Sequence, residues 1–227
     1  KAFNSDSTTV IVEVSDLYNG KETSVNNVFQ NINIHTSAKP ALSRIIDIKA
    51  FDNNVVAKSE LTTKVTEGTE SVYVTVEVAS SIALLPEEPM QVRFDSPRIG
   101  YFTTDVLSFS DDQQRVDNRH YVQRWRLVPS DTAAYLKGKL VEPVKPIKFY
   151  IDNRAPRKWR KYLLQGITDW NVAFERIGFK NAIVAEMLPD SLSADDDDFN
   201  HSTLMYAAST KANAMGPSTL DPRTGEI

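Results

Sequence analysis

Residues 146–183 constrain the fold more than any other stretch, because a strand pattern leads directly into a long amphipathic helix pattern. Apolar side chains at alternate positions from Ile147 to Ile151 predict a strand with one buried face. Pro156 then suits the first turn of a helix, where a residue without an N–H is tolerated. The apolar residues that follow recur every three or four positions and predict one buried helix stripe. They are Trp159, Tyr162, Leu163, Ile167, Trp170, Phe174 and Ile177.

The end of this helix pattern is equally well marked. Gly178 directly follows Ile177 and fits a left-handed C-cap. The next residues, from Phe179 to Val184, predict a second short strand. Trp159 and Trp170 are open to interpretation as ligand-stacking residues, but their helical spacing favours core positions. We therefore expect a strand–helix–strand unit in which Trp170 and Phe174 are buried against the sheet.

Residues 1–110 are dominated by strand patterns. Ser71 to Ala79 is the clearest, because four valines occupy alternate positions. The run from Ile46 to Phe51 ends at three turn-forming residues, and residues 55–65 are predicted to continue it as a hairpin. Helix signals are poor throughout this part. The pattern predicts an antiparallel β-rich N-terminal domain.

Residues 111–145 are interpreted as a connecting segment. Its end is marked by Pro143 and Pro146, since proline and the residue before it favour an extended backbone. Residues 146–227 are then predicted to form a second domain, which begins with the strand–helix–strand unit. Together the two patterns predict the α+β fold class.

The composition of the chain argues against several classes of function. A net charge of −4 argues against a general nucleic-acid binder. The chain has no cysteine, so disulfides and thiolate metal sites are excluded. It also contains no apolar run long enough to cross a bilayer. The three histidines, His35, His120 and His201, are too far apart to share one helix face as a pair of zinc ligands.

Five motifs resemble a known family in the same order along the chain. They are SSIALLPEEPM (80–90), SPRIGYFTT (96–104), YVQRWRL (121–127), GITDWNVAFERIGFKNAI (166–183) and ANAMGPSTLDPRTGEI (212–227). In these motifs the chain is similar to secreted bacterial zinc-dependent metalloproteases with a metzincin-type catalytic domain. In that family a domain of unknown function precedes the peptidase domain. The resemblance therefore implies an accessory domain followed by the N-terminal half of a metzincin-like mixed sheet with one long helix.

The resemblance also implies peptide-bond hydrolysis of a peptide or protein substrate by a zinc-bound water. The zinc signature of the family, HExxH continued by a third histidine, is absent from this sequence. We expect it to lie beyond Ile227, so that the fragment itself is inactive and binds no zinc. No catalytic residue and no metal ligand is therefore assigned here. A secreted, periplasmic or cell-surface location is likewise implied only by the resemblance.

In metzincins the edge strand of the upper sheet runs antiparallel to bound substrate. By order along the chain, this edge strand is predicted at Met215, Gly216, Pro217, Ser218, Thr219 and Leu220. An exposed edge offers unpaired backbone groups to an extended peptide. The strand before it is predicted over residues 202–208, and a tight turn is predicted from Asp221 to Gly225.

Three alternatives stay open. A β-rich module that binds a surface glycan or protein without catalysis is the main alternative function. Asp195, Asp196, Asp197 and Asp198 are a candidate calcium loop, although they lack the spaced ligands of an EF-hand and a solvated loop is the expected structure. The basic run at residues 156–161 is interpreted as the solvated face of a helix, with a phosphate or acidic peptide as the alternative partner.

Overall fold

The computed structural model describes residues 2–3, 9–22, 28–210 and 213–227. Within these, the chain divides into two compact units. The first contains Lys1–Leu84 together with Asp195–Asn200, and the second contains Leu85–Ala194 together with His201–Ile227. Antiparallel strands and helices occur in separate stretches, so the predicted α+β class is confirmed. No helix among these residues is both long and apolar enough to cross a bilayer.

The first unit is built on a three-stranded antiparallel sheet in the order β3-β4-β5. The unit begins with β1 (Ala2–Phe3), β2 (Val10–Ile11) and the helices α1 (Ser15–Tyr18) and α2 (Val28–Asn31), followed by a short 3-10 turn at Pro40–Leu42. The sheet consists of β3 (Arg44–Ala50), β4 (Asn54–Glu67) and β5 (Glu70–Ala83). These bounds confirm the strands predicted between residues 46 and 79.

The core of the first unit lies under the central strand β4. Leu61 and Val56 are fully buried, and Tyr18 and Phe29 from the two short helices are buried as well. The hydroxyl of Thr62 lies 2.8 Å from that of Thr75 directly opposite on β5, which adds a cross-strand hydrogen bond to the ladder. Since β4 is paired on both sides, its backbone is satisfied and it fixes the positions of its neighbours.

The second unit starts with an antiparallel hairpin and continues into a parallel sheet. The hairpin joins β6 (Thr103–Ser108) to β7 (Asp117–Val122), and the short helix α3 (Thr132–Leu136) follows. The sheet has the order β10-β8-β9, with β8 (Ile147–Ile151) parallel to both β9 (Ile183–Met187) and β10 (Ser202–Leu204). The strand predicted from Ile147 to Ile151 is therefore confirmed. The second strand begins at Ile183, four residues later than predicted.

The predicted long helix is interrupted. α4 spans Arg157–Thr168 and α5 spans Asn171–Arg176. Thr168 Oγ1 donates back to the carbonyls of Leu164 and Gln165, a local bond that competes with helix propagation. Asn171 exchanges two hydrogen bonds with the backbone of Ile183, at 2.8 and 3.2 Å, so the start of α5 is tied to the start of β9.

A small apolar cluster closes this unit around Val141, Phe179 and Ala182. Phe174 and Tyr135 pack against it from α5 and α3. Gly178 has a φ of +95°, so the predicted left-handed C-cap is confirmed. By contrast, Trp170 is 64% exposed, and the prediction that it packs in the core is wrong.

Candidate functional site

The carboxyl end of β8 carries a buried aspartate in a tight turn. The side chain of Asp152 is 5% exposed, and its carboxylate accepts from the backbone N–H of Arg154 at 2.9 Å and from Nε of Arg154 at 2.6 Å. The N–H of Asp152 donates to the carbonyl of Leu204 at the end of β10. The turn therefore ties two parallel strands together at the edge where open α/β sheets usually bind ligands.

Two neighbouring side chains hold the start of α4 on this turn. Asn153 Nδ2 donates to the carbonyl of Leu188, just after β9, at 2.7 Å. Arg160 donates from Nε to the carbonyl of Ala155 at 2.8 Å and from Nη2 to that of Asn153. These donors all point at backbone oxygens. The arrangement fixes the strand–helix junction and contains no hydrogen-bonded nucleophile and base of the kind that covalent catalysis uses.

A second buried aspartate sits in the turn predicted near the end of the chain. Asp221 accepts from Arg223 at its backbone N–H and at its guanidinium, and the side chain of Asp221 is only 4% exposed. These hydrogen bonds from Arg223 hold the pKa of Asp221 below its usual range. Gly225 closes the turn with a φ of +73° and donates to the carbonyl of Asp221. The predicted turn is thus confirmed.

The turn is anchored to the segment after β7. Arg126 forms a two-point ion pair with Glu226, with Nε to Oε1 at 2.8 Å and Nη2 to Oε2 at 2.6 Å. Glu226 raises the pKa of Arg126 through these hydrogen bonds. Backbone bonds link Arg124 to Gly225 and Ile227 on either side. Residues 221–227 are therefore held firmly in the second unit.

The predicted substrate-binding segment directly precedes this anchor. Met215, Gly216, Pro217, Ser218, Thr219 and Leu220 form neither a helix nor a strand within described residues 213–227, so the predicted strand is wrong. Gly216 and Pro217 explain this, because proline has no N–H for a ladder and glycine weakens a strand interior. Met215 is 85% exposed and only Leu220 is half-buried. The substrate-binding role of the segment stays a prediction.

The acidic run is anchored rather than simply solvated. Asp196 Oδ1 lies 2.5 Å from Lys49 Nζ on β3, and this contact raises the pKa of Lys49. Asn54, 3% exposed, donates to the carbonyl of Asp197 at 2.9 Å and accepts from the N–H of Phe199 at 3.2 Å. Lys58 Nζ donates to the carbonyl of Asp195. These contacts join residues 195–200 to the first unit.

Neither the acidic run nor the histidines form a metal site in the described part of the chain. No group of three or more histidine, aspartate and glutamate side chains converges there in a way that suits a metal ion. His120 Nδ1 pairs with Asp105 Oδ1 at 2.6 Å across the β6–β7 hairpin. The ring of His201 lies 5.6 Å from that of Tyr150. Zinc and calcium therefore have no assigned ligands in this structure.

The surface of α4 differs from the predicted core stripe. Leu163, Leu164 and Ile167 are half-buried, whereas Trp159 is 42% and Tyr162 is 55% exposed. The predicted buried positions of Trp159, Tyr162 and Ile177, which is 56% exposed, are therefore wrong, whereas Leu163 and Ile167 of the same predicted stripe are half-buried. The two exposed rings lie 6.3 Å apart, Lys158 Nζ lies 4.8 Å from the Trp159 ring and Lys161 Nζ lies 4.7 Å from the Tyr162 ring.

Comparison with known families identifies the first part of the chain. Residues 1–130 match the family described as Domain of unknown function (DUF5117). The chain belongs to this family. The predicted domain of unknown function is thereby confirmed, whereas membership of the metalloprotease family stays a prediction. Neither a curated protein nor a solved structure gives a significant match.

The DUF5117 match does not follow the boundary between the compact units. It covers residues 1–84 of the first unit and continues through the β6–β7 hairpin of the second. Three of the five motifs that resemble the metalloproteases lie inside the match, and the helix motif and the C-terminal motif lie beyond it. The predicted domain boundary at residue 110 stays a prediction.

Sequence reasoning missed the two buried aspartates. Each has an arginine two positions later, in Asp152-Asn153-Arg154 and Asp221-Pro222-Arg223. An aspartate that accepts the N–H two residues on forms an Asx turn, and an arginine at that position adds an ion pair. The Asp-x-Arg spacing is the signal that the two turns share in the sequence.

Proposed function

We propose that the DUF5117 chain is part of a zinc-dependent metallopeptidase that hydrolyses peptide bonds in a protein substrate. Its first part is an accessory domain, and its second part supplies the strand–helix–strand half of a catalytic domain. The whole protein is secreted, periplasmic or displayed at the cell surface. In this proposal the zinc ligands and the general base belong to the HExxH motif of the metalloprotease family, which this sequence does not contain.

The observation that carries the proposal is the order of the two parts. A DUF5117 match is followed along the chain by β8, the crossing helix α4 and the parallel strands β9 and β10. The same order, a domain of unknown function before a strand–helix–strand unit, characterises the metalloprotease family that the motifs resemble. The buried Asp152 turn supports the proposal, because it fixes the strand–helix junction on which a catalytic half-domain depends.

Within this proposal, residues 215–220 receive the substrate backbone. The segment is exposed and is held at its C-terminal end by the Asp221 turn. Although Gly216 and Pro217 disfavour a strand within the chain itself, the segment is anchored at one end and has no strand partner among the described residues, so the N–H groups after Pro217 are placed to pair with an extended peptide. Gly216 has no atom within 4 Å of where a Cβ would lie, so a substrate backbone has room to approach there.

The test compares the full-length protein of the parent gene with this 227-residue chain. We expect the full-length protein to bind one zinc ion per chain by metal analysis and to cleave unfolded casein in a chelator-sensitive manner. We expect this chain alone to do neither, because three protein ligands are usual for a catalytic zinc. A full-length protein without stoichiometric zinc, or with cleavage that a chelator does not affect, would contradict the proposal.

The alternative is a β-rich module that binds a surface glycan or protein. The exposed positions of β5 favour it, since Val72, Tyr73 and Ile82 are all more than half exposed on a strand that pairs with β4 alone among the described strands. Under this alternative, chelator treatment leaves the binding of the full-length protein to its partner unchanged. The protein then shows no peptidase activity with or without the chelator.

A further inference from the structure

The first turns of α4 combine exposed aromatic rings with lysines, and a further exposed ring follows at the junction with α5. Lys158, Trp159, Lys161, Tyr162 and Trp170 form this surface, which we call the aromatic–cationic face. Trp159 and Tyr162 are three positions apart on α4, so helical spacing makes them neighbours, and Trp170 lies between the end of α4 and the start of α5. Gly166 lies between them in sequence, and no atom of the described residues outside its own helix lies within 4 Å of its Cβ position, so the helix surface is open at that point.

The charge of α4 is unfavourable for the helix in isolation. Its first five residues contain Arg157, Lys158, Arg160 and Lys161, and the helix contains no acidic residue. Cations near a helix N-terminus oppose the macrodipole. Arg160 is engaged with backbone carbonyls, but the two lysines of the face contact only aromatic rings in the interactions described above. An anionic partner would remove this unfavourable arrangement.

The chemistry of the face favours a lipid surface over an acidic peptide. A peptide carboxylate would pair with the lysines and leave the exposed rings of Trp159 and Trp170 in water. At a bilayer interface, lysines pair with lipid phosphates while tryptophan and tyrosine rings lie at the headgroup level. The lysines and the rings of the face therefore both find favourable contacts there. The face is also a convex helix ridge. The cavity beside it, about 340 Å³ and lined in part by Trp170 and Val172, is shallow and open.

We propose that the aromatic–cationic face docks the protein onto anionic lipid bilayers. The chain has 30 acidic and 26 basic residues, so its net charge of −4 provides no general attraction to such a surface. Docking therefore depends on this face, with Lys158 and Lys161 at the phosphates and the rings of Trp159, Tyr162 and Trp170 between the headgroups.

The experiment measures co-sedimentation of the 227-residue chain with phosphatidylcholine vesicles, with and without one third phosphatidylglycerol. We expect binding only to the anionic vesicles. The Lys158→Gln/Lys161→Gln variant should lose about thirty-fold in partitioning, since each surface cation contributes about fivefold. The matched control, Lys137→Gln/Lys139→Gln, removes two exposed lysines of the same unit and should stay within about twofold, because the face is intact.

Tryptophan emission gives a second readout that needs no variant. Bromine-labelled anionic lipid should quench Trp159 and Trp170, whereas Trp125 is half-buried against Phe149 and should be protected. Failure to sediment with anionic vesicles, equal weakening by the control pair, or absence of quenching would overturn the proposal. Binding to poly-glutamate without binding to vesicles would also overturn it and identify an acidic protein as the partner.

Discussion

The ring of Tyr135 occupies the space into which any side chain at position 178 would project. A Cβ on Gly178 would lie 2.6 Å from Tyr135 Cε2, and the Tyr135 hydroxyl donates to the carbonyl of Ile177 at 3.0 Å. The tyrosine therefore packs on the helix end that only glycine can form there. This pair joins α3 to the end of α5 and closes the apolar cluster of the second unit.

Replacing Gly178 should destabilise the second unit. Gly178→Ala forces a non-glycine residue to a φ of +95° and into the Tyr135 ring, so we expect a loss of about 2–4 kcal/mol. Urea unfolding followed by tryptophan emission measures this directly, because all three tryptophans belong to the second unit. Gly166→Ala is the control, since it fills open space inside α4 and should stabilise by about 0.5–1 kcal/mol. Equal stability of the two variants would contradict the C-cap interpretation.

Phe174 and Trp170 should respond very differently to truncation. Phe174 is half-buried against the Val141 cluster, so Phe174→Ala should cost about 2 kcal/mol, less than for a full core phenylalanine. Trp170→Ala should change stability by less than about 0.5 kcal/mol, because the side chain is mostly exposed. Thermal midpoints from circular dichroism measure both. A larger loss of stability in Trp170→Ala than in Phe174→Ala would show that Trp170 packs in the core, as the helix pattern predicts.

Stability at acidic pH should depend on Asp221. Its pKa is lowered in the folded state by Arg223, so the carboxylate stabilises the fold above its unfolded pKa. That contribution is lost as pH falls through the lowered, folded-state value. Asp221→Asn should therefore be less stable at neutral pH and should lose less stability on acidification than the original chain. Urea midpoints across the acidic range give the comparison, with the exposed Asp112→Asn as the control that should follow the original profile.

We expect the hydrogen bonds of Asn54 to keep the acidic run attached to the first unit. Asn54→Ala removes the donor to Asp197 and the acceptor for Phe199, and the loss of these two part-buried hydrogen bonds should cost about 1 kcal/mol each. We expect faster cleavage at residues 195–200 by a protease that cuts before aspartate. Asn53→Ala removes a single exposed bond to Asn200 and should change the rate much less. Equal cleavage rates for the two variants would show that the run is held by the lysines alone.

Under the proposed peptidase function, substrate binding by the full-length protein should depend on the backbone of residue 218. Ser218→Pro removes one N–H donor from the segment proposed to pair with substrate, so KM for peptides should rise several-fold with kcat nearly constant. Ser218→Ala keeps the N–H and should leave KM unchanged. An unchanged KM in Ser218→Pro would show that this segment does not bind the substrate backbone. The proposed peptidase activity would not be contradicted by that result.

The strands were largely predictable because their signal is local. Alternating valines from Val72 to Val78 predict β5. The strand predicted from Ile147 to Ile151 has the same bounds as β8. The helix was located apart from its interruption, but its buried side was predicted only in part. Leu163 and Ile167 of the predicted stripe are half-buried, whereas Trp159 and Trp170 are exposed, and no local signal distinguishes an exposed tryptophan at this spacing from a buried one. The interruption after Thr168 depends on a bond from Asn171 to Ile183, which is a tertiary contact.

The buried aspartate turns show why local sequence is insufficient. Asp117-Asn118-Arg119 and Asp152-Asn153-Arg154 are the same tripeptide. The first lies in β7, where Asp117 pairs with Arg115, and the second forms the closed turn after β8. The tertiary partners distinguish the two, since Asp117 lies opposite Ser108 in the β6–β7 ladder whereas the N–H of Asp152 donates to Leu204 of β10. The candidate site thus depended on a long-range pairing that the tripeptide does not encode.

The attachment of Asp195–Asn200 to the first unit has a consequence for biosynthesis. The sheet β3-β4-β5 leaves the ribosome early and already contains one partner of the Asn54 side chain, the hydroxyl of Ser81, but the two partners at Asp197 and Phe199 are translated only after Ala194. At about 5–20 residues per second, the nascent sheet waits several seconds for these two hydrogen bonds. Co-translational folding of the first unit is therefore completed late, and the N-terminal half acquires its final resistance to proteolysis only when the second half has been made.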